Sequence, residues 1–267
     1  MPHTHRLTPN QPLKLDDIDP DGKEIFDDRD RAEAEFEQMR DQIIELQYRL
    51  YAENKQSLLI VFQAMDAGGK DGAIRHLTKG INPQGVHVAS FKAPSKEELA
   101  HDFLWRIHQQ TPAKGKIGIF NRSHYEDVLI VRVDNLVPET VWRPRYQHIN
   151  NFERLLHDNG TRILKFYLHI SKKEQKERFQ SRLDEPHKNW KFAREDLNKR
   201  QQWTDYMVAY EEMLNQCTTD YAPWYVIPAD QKWYRNYAIA KIVLNTLQEM
   251  NPQYPPPEDN LDQIVID

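Results

Sequence analysis

The chain has 267 residues and a formal net charge of −5, and 29% of its residues are charged. This length can form one large α/β domain or two small ones. The acidic balance argues against nucleic acid as a partner, and the absence of a long apolar run argues against a membrane partner. A single cysteine, Cys217, excludes an internal disulfide and a cysteine-rich zinc site. The first residues, MPHTHRLTPNQPL, lack the apolar region of a signal peptide, so we expect a cytoplasmic protein.

The order of apolar segments predicts an α/β fold. Residues 1–25 are rich in Pro and Asp and are expected to form an arm, whereas 26–55 have helical apolar spacing. Strands are predicted at 57–63, 86–91, 116–120, 161–170 and 224–228. Further helices are predicted up to residue 80, from 95, and at 123–131, 144–158, 171–186, 195–215 and 233–250. This alternation is typical of a three-layer parallel sheet with helices on both faces, here one domain over 1–267 with a tail at 252–267.

A glycine-rich turn follows the first predicted strand. Three of the nine glycines lie within residues 68–72, and Lys70 stands among them. A buried strand that leads through such a turn into a helix directs backbone N–H groups at one anion, and a lysine there reaches terminal phosphates. The match to the Walker A pattern is partial, because Ala64 replaces its first Gly and Asp71 replaces its Ser or Thr. A plain Gly-Gly turn is the alternative. The predicted phosphate-binding positions are Ala67, Gly68, Gly69, Lys70, Asp71 and Gly72.

Polar residues follow the third predicted strand, in the run 121–127. Carboxyl ends of parallel strands meet at one edge of a sheet, so this run is expected to face the glycine-rich turn. Asn121 stands where Walker B usually has Asp, Arg122 is a candidate charge clamp, and Glu126 lies a turn later. In the alternative interpretation, Ser123 and Glu126 form only a helix capping box, and Arg122 is a solvated loop residue.

A basic segment follows the fourth predicted strand. Residues 172–200 contain ten Lys or Arg against six Asp or Glu. Arg178 and Arg182 are four apart, which places them on one helical face, and Lys188 follows near Pro186. Small phosphotransferases of this architecture have a closing lid at this position, so a lid is predicted over about 178–205. An inert, solvated helix surface is the alternative.

These features in this order resemble the polyphosphate kinase 2 family over most of residues 30–250. The resemblance lies in the runs DAGGKDG (66–72), FNRSHYE (120–126), KFYLHIS (165–171), NWKF (189–192) and APWYVIP (222–228). It implies a thymidylate-kinase-like P-loop kinase fold with a helical lid. The implied reaction is reversible transfer of the terminal phosphoryl group of inorganic polyphosphate to ADP and AMP, with Mg²⁺ or, as a substitute, Mn²⁺.

The same resemblance implies roles for individual residues. Asp66 and Lys70 handle metal and phosphate, Arg122 clamps charge, and Arg178 and Arg182 belong to the lid. Many members have Asp where this chain has Asn121, so a metal-ligand role does not carry over to that position. The run NRSHYE (121–126), with Asn at its first position, resembles the class III branch, which accepts both AMP and ADP. Glu126 would then assist metal or acceptor binding. A homo-oligomer, dimer or tetramer, is also expected, as is some use of guanine nucleotides.

Two other functions remain open from the sequence. One is an ATP-dependent nucleotide or nucleoside kinase of the same fold, whose glycine-rich loop would hold ATP. The other is a non-catalytic phosphate-binding module with a decayed loop, which Ala64 and Asp71 would suggest. The eleven histidines show no paired metal-ligand spacing, and His124 is expected to pack or form hydrogen bonds rather than to bind metal.

Overall fold

Five parallel strands form the central sheet in this computed structural model, which describes residues 4–259 and 266. The strand order is β2-β3-β1-β4-β5. All seven residues of β1 are buried, as expected for the middle strand of a sheet covered on both faces. The strands are β1 (Ser57–Gln63), β2 (Val86–Ser90), β3 (Ile117–Asn121), β4 (Thr161–His169) and β5 (Trp224–Pro228).

Eleven α-helices connect or cover these strands in the described part of the chain. They are α1 (Arg29–Glu53), α2 (Lys70–Leu77), α3 (Lys96–Leu99), α4 (Trp105–His108), α5 (Ile130–Val133), α6 (Glu139–Trp142), α7 (Arg145–Asp158), α8 (Lys172–Asp184), α9 (Glu195–Gln201), α10 (Trp203–Gln216) and α11 (Lys232–Met250). Short 3₁₀ helices lie at Leu15–Asp17, Pro83–Gly85, His124–Val128 and Pro186–Lys191. None of the described helices is long and apolar enough to cross a membrane.

The side chains of β1 point alternately to two separate cores, because successive residues of a strand face opposite sides of the sheet. Leu58, Ile60 and Phe62 pack in one core, which includes residues of α1, α2 and α11. Leu59 and Val61 pack in the other, with residues of α7 and α10. The predicted three-layer α/β architecture is therefore confirmed.

Three helix predictions differ from the structure. The capping box at Ser95 is present, but α3 ends at Leu99 because none of its residues is buried and no packing extends it. The segment predicted as a helix at 123–131 is a 3₁₀ helix followed by the four-residue α5. The helix predicted at 195–215 is divided at Gln202 into α9, which has no buried residue, and the well-packed α10.

Residues 5–7 of the amino-terminal arm pair with the sheet. The amide of Leu7 donates to the carbonyl of Trp224 at 2.9 Å, and the amide of Val226 donates to the carbonyl of His5 at 2.9 Å. Arg6 and Tyr225 form an antiparallel bridge between these two bonds. The arm therefore covers the outer edge of β5. Residues 1–3 of the predicted arm, and 260–265 and 267 of the predicted tail, lie outside the described residues.

Candidate functional site

The glycine-rich turn connects β1 to α2 at the carboxyl edge of the sheet. Its backbone enters the left-handed region twice, at Ala67 (φ 61°) and Gly69 (φ 100°). Lys70 is the first residue of α2, and its Nζ donates to the carbonyl of Ala64 at 2.8 Å. The lysine thus folds back across the turn from the helix N-terminus, where free backbone N–H groups also favour an anion.

Lys70 and Asp66 are both perturbed by their surroundings. Burial, together with the nearby charge of Arg122, lowers the pKa of Lys70 to about 8, although Asp66 opposes this shift. Burial alone would raise the pKa of Asp66, but three neighbouring cations outweigh burial and hold it below its usual range; they are Lys70, Arg122 and Lys199. The site therefore holds an ionised carboxylate among more positive charges than it can neutralise, as a polyanion site requires.

Arg122 lies at the end of β3 and joins the two carboxylates of the site. Its NH2 group lies 2.7 Å from Asp66 Oδ1, and its NH1 group lies 3.9 Å from Glu126 Oε2. Its backbone is left-handed (φ 63°), a strained conformation for a residue other than glycine. This backbone turn directs the guanidinium toward the glycine-rich loop rather than along the strand.

Two amides complete the contact between β3 and the loop. Asn121 Nδ2 donates to Asp71 Oδ1 at 2.7 Å, so position 121 is linked to the first turn of α2. Gln63, the last residue of β1, donates to Glu126 Oε1 at 3.0 Å when its amide is oriented to satisfy its neighbours. The residues predicted on the two loops are therefore brought together as the sheet topology requires.

Arg178 joins the basic segment to the glycine-rich loop. From α8 it donates to the carbonyl of Ala67 at 2.9 Å and to the carbonyl of Asp230 at 3.2 Å, and it pairs with Glu174. Gln175, one turn earlier on α8, donates to the carbonyl of Asp66 at 2.9 Å. The first half of α8 is thus fixed to the loop by side-chain hydrogen bonds.

Within the described part of the chain, Arg182 and Lys188 form no hydrogen bond or ion pair with the loop. Arg182 donates to the carbonyl of Lys191 at 3.0 Å and lies 3.2 Å from Asp196 Oδ2. Lys188 pairs with Glu185 within the turn after α8. The structure therefore brings Arg178 to the loop and leaves the other two residues in contacts within the basic segment.

Two cations of the site did not emerge from the sequence. Lys199, on α9, lies 3.5 Å from Asp66 Oδ2. Arg235, on α11, is only 3% exposed, and a side chain at Gly69 would collide with its guanidinium. Among the described residues no carboxylate forms an ion pair with Arg235, and burial together with Arg178 lowers its pKa to about 10. Neither residue belongs to any of the motifs that the sequence analysis identified.

The donor groups fit a magnesium ion shared with a substrate. No group of three or more His, Cys, Asp or Glu side chains occurs in the described part of the chain that could hold a metal alone. Two carboxylates, Asp66 and Glu126, flank Arg122 at the mouth of the loop. Mg²⁺ commonly takes one or two carboxylates together with substrate phosphates, so this sparse set is suitable. His124 is fully buried and hydrogen-bonded to Glu153, which agrees with the non-ligand role expected for it.

Comparisons with known proteins agree with this geometry. The model of the family "Polyphosphate kinase 2 (PPK2)" matches residues 26–255. The chain is 52% identical to an AMP/ADP-polyphosphate phosphotransferase of Meiothermus ruber, over 98% of this chain and 99% of that protein. It is 48% identical to an ADP-polyphosphate phosphotransferase of Rhodopseudomonas palustris, over 89% and 85%. The crystal structure of polyphosphate kinase 2 from Arthrobacter aurescens is similar, with a TM-score of 0.94 and 39% identity, covering 98% of this chain and 94% of that one.

Proposed function

Because this chain belongs to the polyphosphate kinase 2 family, we propose that it transfers the terminal phosphoryl group of inorganic polyphosphate to ADP and AMP, reversibly. Family membership, inferred first from the motifs, is confirmed, and the chain is a phosphotransferase. The observation that supports the substrate best is the surplus of buried or half-buried cations around the glycine-rich loop: Lys70, Arg122, Arg178, Lys199 and Arg235. Such a surplus suits a donor with many negative charges.

The chemistry of the proposed reaction needs positioning more than proton transfer. Lys70 and the amides of the loop hold the terminal phosphates of the donor. Arg122 neutralises charge on the equatorial oxygens as an acceptor phosphate attacks in line, which is the role of arginine clamps in phosphoryl transfer. A nucleotide phosphate is already anionic near neutral pH, so no general base is needed. Preorganised charge in a partly buried site therefore supplies most of the rate.

Asp66 and Glu126 are the proposed ligands of Mg²⁺, for which Mn²⁺ is a possible substitute. The ionised state of Asp66 supports this role, because a metal ligand must be deprotonated. A metal ion held by these carboxylates would neutralise charge on the phosphate chain. Asn121 has an amide where many relatives have a carboxylate, and that amide is hydrogen-bonded to Asp71.

The segment 178–205 is proposed as a lid over the donor. Arg178 anchors its start to the loop, and Lys199, near its end, already contacts Asp66. On closure, Arg182 and Lys188 would bind phosphate in place of the carboxylates that now pair with them, Asp196 and Glu185. Exclusion of water by such closure strengthens each ion pair with phosphate.

The remaining partners are proposed by similarity to relatives. The Meiothermus ruber relative is named for both AMP and ADP, which supports the class III assignment of this chain. Guanine nucleotides are proposed as secondary acceptors, a dimer or tetramer as the assembly, and the cytoplasm as the location. Nucleic acid and membranes are not proposed as partners.

With long-chain polyphosphate as the only donor and no ATP or adenylate kinase present, we expect the protein to convert AMP to ADP and then to ATP. The measurement is quantification of the three nucleotides over time, started from AMP and from ADP separately. Phosphorylation of ADP but not of AMP would contradict the class III assignment. Activity only with ATP as the donor would instead indicate the ATP-dependent kinase, and binding without turnover would indicate the non-catalytic module.

The activity should fall as the pH rises through about 8. Burial, with the charge of Arg122, depresses the pKa of Lys70 to about 8, so the proton that makes it a phosphate ligand is lost above that pH. The profile of kcat/KM reports the pKa values of the free enzyme. We therefore expect kcat/KM for polyphosphate to decline from about pH 8 in a series from about pH 6.5 to about pH 9.5 at constant ionic strength. A flat profile to the end of that range would contradict the assignment of Lys70.

A further inference from the structure

We propose that the buried ion pair of Lys165 and Glu153 is a positioning device, which holds Arg122 and Glu126 in place for phosphoryl transfer. The proposal rests on the proposed function, since it assigns a role for these residues in that reaction. Neither member of the pair can touch a substrate, because both side chains are completely buried. Their effect would pass through the backbone of the segment between Arg122 and Glu126.

Lys165 lies in the middle of β4, where an apolar residue would ordinarily be expected. Its three ammonium protons have three acceptors: Glu153 Oε2 at 2.6 Å, Tyr125 Oη at 2.8 Å and the carbonyl of Cys217 at 2.7 Å. A buried ammonium with every donor satisfied in this way has one orientation available. Lys165 therefore fixes the relative positions of β4, α7, the 3₁₀ helix at His124–Val128 and the end of α10.

Glu153 extends the network to two consecutive residues of the functional segment. Its Oε1 atom accepts from Tyr125 Oη at 2.7 Å and from His124 Nε2 at 3.2 Å. Burial raises the pKa of Glu153, but Lys165 more than compensates and keeps the carboxyl ionised. Since an ionised carboxylate can only accept, the ring N–H of His124 at Nε2 donates to it. Both residues are thus held by one carboxylate.

His124 and Tyr125 stand between the two groups that act on the donor. They begin the 3₁₀ helix His124–Val128; Ser123 alone separates them from Arg122, and Glu126 follows directly. Arg122 has a left-handed backbone, which persists only where the surroundings determine it. On the carboxyl side of Arg122, the anchored side chains of His124 and Tyr125 hold the backbone in this conformation. On its amino side, the amide of Arg122 donates to the carbonyl of Phe62 at 3.1 Å.

Stability does not explain this arrangement. Replacing a buried ion pair with apolar residues of similar volume is often neutral or stabilising, because both charges lose hydration on burial. What an apolar pair cannot supply is the directional contact with His124 and Tyr125. The pair is therefore better explained by the geometry of the segment than by the free energy of folding.

The test uses two variants of the full-length protein. Tyr125→Phe removes only the hydroxyl that connects the pair to the segment. The combination of Lys165→Met, Glu153→Met and Tyr125→Phe removes the charges and the connection together, so that no buried charge is left alone. The matched control is Ser57→Ala with Thr161→Val, which removes a buried hydrogen bond of 3.0 Å between β1 and β4 at the opposite edge of the sheet.

We expect kcat for polyphosphate and ADP to fall by about 10-fold in Tyr125→Phe and about 10–100-fold in the triple variant, with KM for polyphosphate near that of the wild type. The control should keep the wild-type kcat. A wild-type kcat in a folded Tyr125→Phe variant would overturn the proposal, even if the triple variant fails to fold. So would a loss of kcat that disappears at a temperature further below Tm, since a merely structural role predicts that recovery. Inactive wild-type protein would instead disprove the proposed function.

Discussion

Replacement of Lys70 with alanine should reduce kcat by about 10²–10³-fold or more, while the protein remains folded. The ammonium is a preorganised charge at the point where phosphate charge develops, and its hydrogen bond to the carbonyl of Ala64 holds it across the turn. Stability should be retained, because burial depresses the pKa of Lys70. A depressed pKa means that the folded state carries this charge unfavourably at neutral pH. Loss of the charge therefore removes a destabilising contribution.

The measurement is kcat with polyphosphate and ADP, together with Tm by calorimetry. Lys70→Met serves as a second variant, since it keeps most of the side-chain volume in this buried position. Lys114→Ala is the matched control: Lys114 is exposed and lies before β3, at the edge of the sheet opposite the site. Near-native activity in either folded Lys70 variant would remove this residue from the mechanism.

Replacement of Arg122 with glutamine should reduce kcat by about 10²–10³-fold. Arg122 is the group that lies between the carboxylates of Asp66 and Glu126. Its loss removes the clamp on the migrating phosphoryl group and also the cation that lies between these two carboxylates. Glutamine supplies neither the charge nor the planar fork that pairs with phosphate. Arg122→Lys, which keeps the charge but loses the fork, should give an intermediate loss.

The matched control for this prediction is Arg143→Gln. Arg143 is also paired with two carboxylates, those of Glu139 and Glu212, but it is half-exposed at the end of α6. A surface pair of this kind contributes little to stability and nothing to the site. If Arg122→Gln and Arg143→Gln show the same kcat, then Arg122 is a surface residue and the clamp does not exist.

The sequence was sufficient to predict those elements whose structure depends on local apolar pattern and turn residues. The strands β1 and β5 have the predicted bounds, because each is a short apolar run between clear turn residues. The predicted positions of Asp66, Lys70, Arg122 and Glu126 at one edge follow from parallel topology alone. The regions 95–109 and 123–142 were harder to predict. Their helices are about one turn long, and in such short segments tertiary contacts outweigh periodicity.

The rest of the site depends on contacts between distant parts of the chain. Arg178 and Arg182 are four residues apart, yet one reaches Ala67 and the other reaches Asp196. Helical spacing places both residues on one face of α8, but it does not predict which part of the chain packs against each of them. Lys199 and Arg235 are further from any motif, and each joins the site only because its helix packs beside the glycine-rich loop. Sequence spacing contains no information about such docking.

The arm that pairs with β5 also limits how copies of this protein can associate. An uncovered edge strand has unpaired N–H and C=O groups that can pair with an extended segment of another chain, which is a common route to aggregation. Here residues 5–7 already occupy those groups on β5. The edge that remains at the other side of the sheet is β2, which is short, with Val88 exposed. A continuous sheet through β5 is therefore excluded while the arm is in place, and a dimer or tetramer would form through helices or through β2.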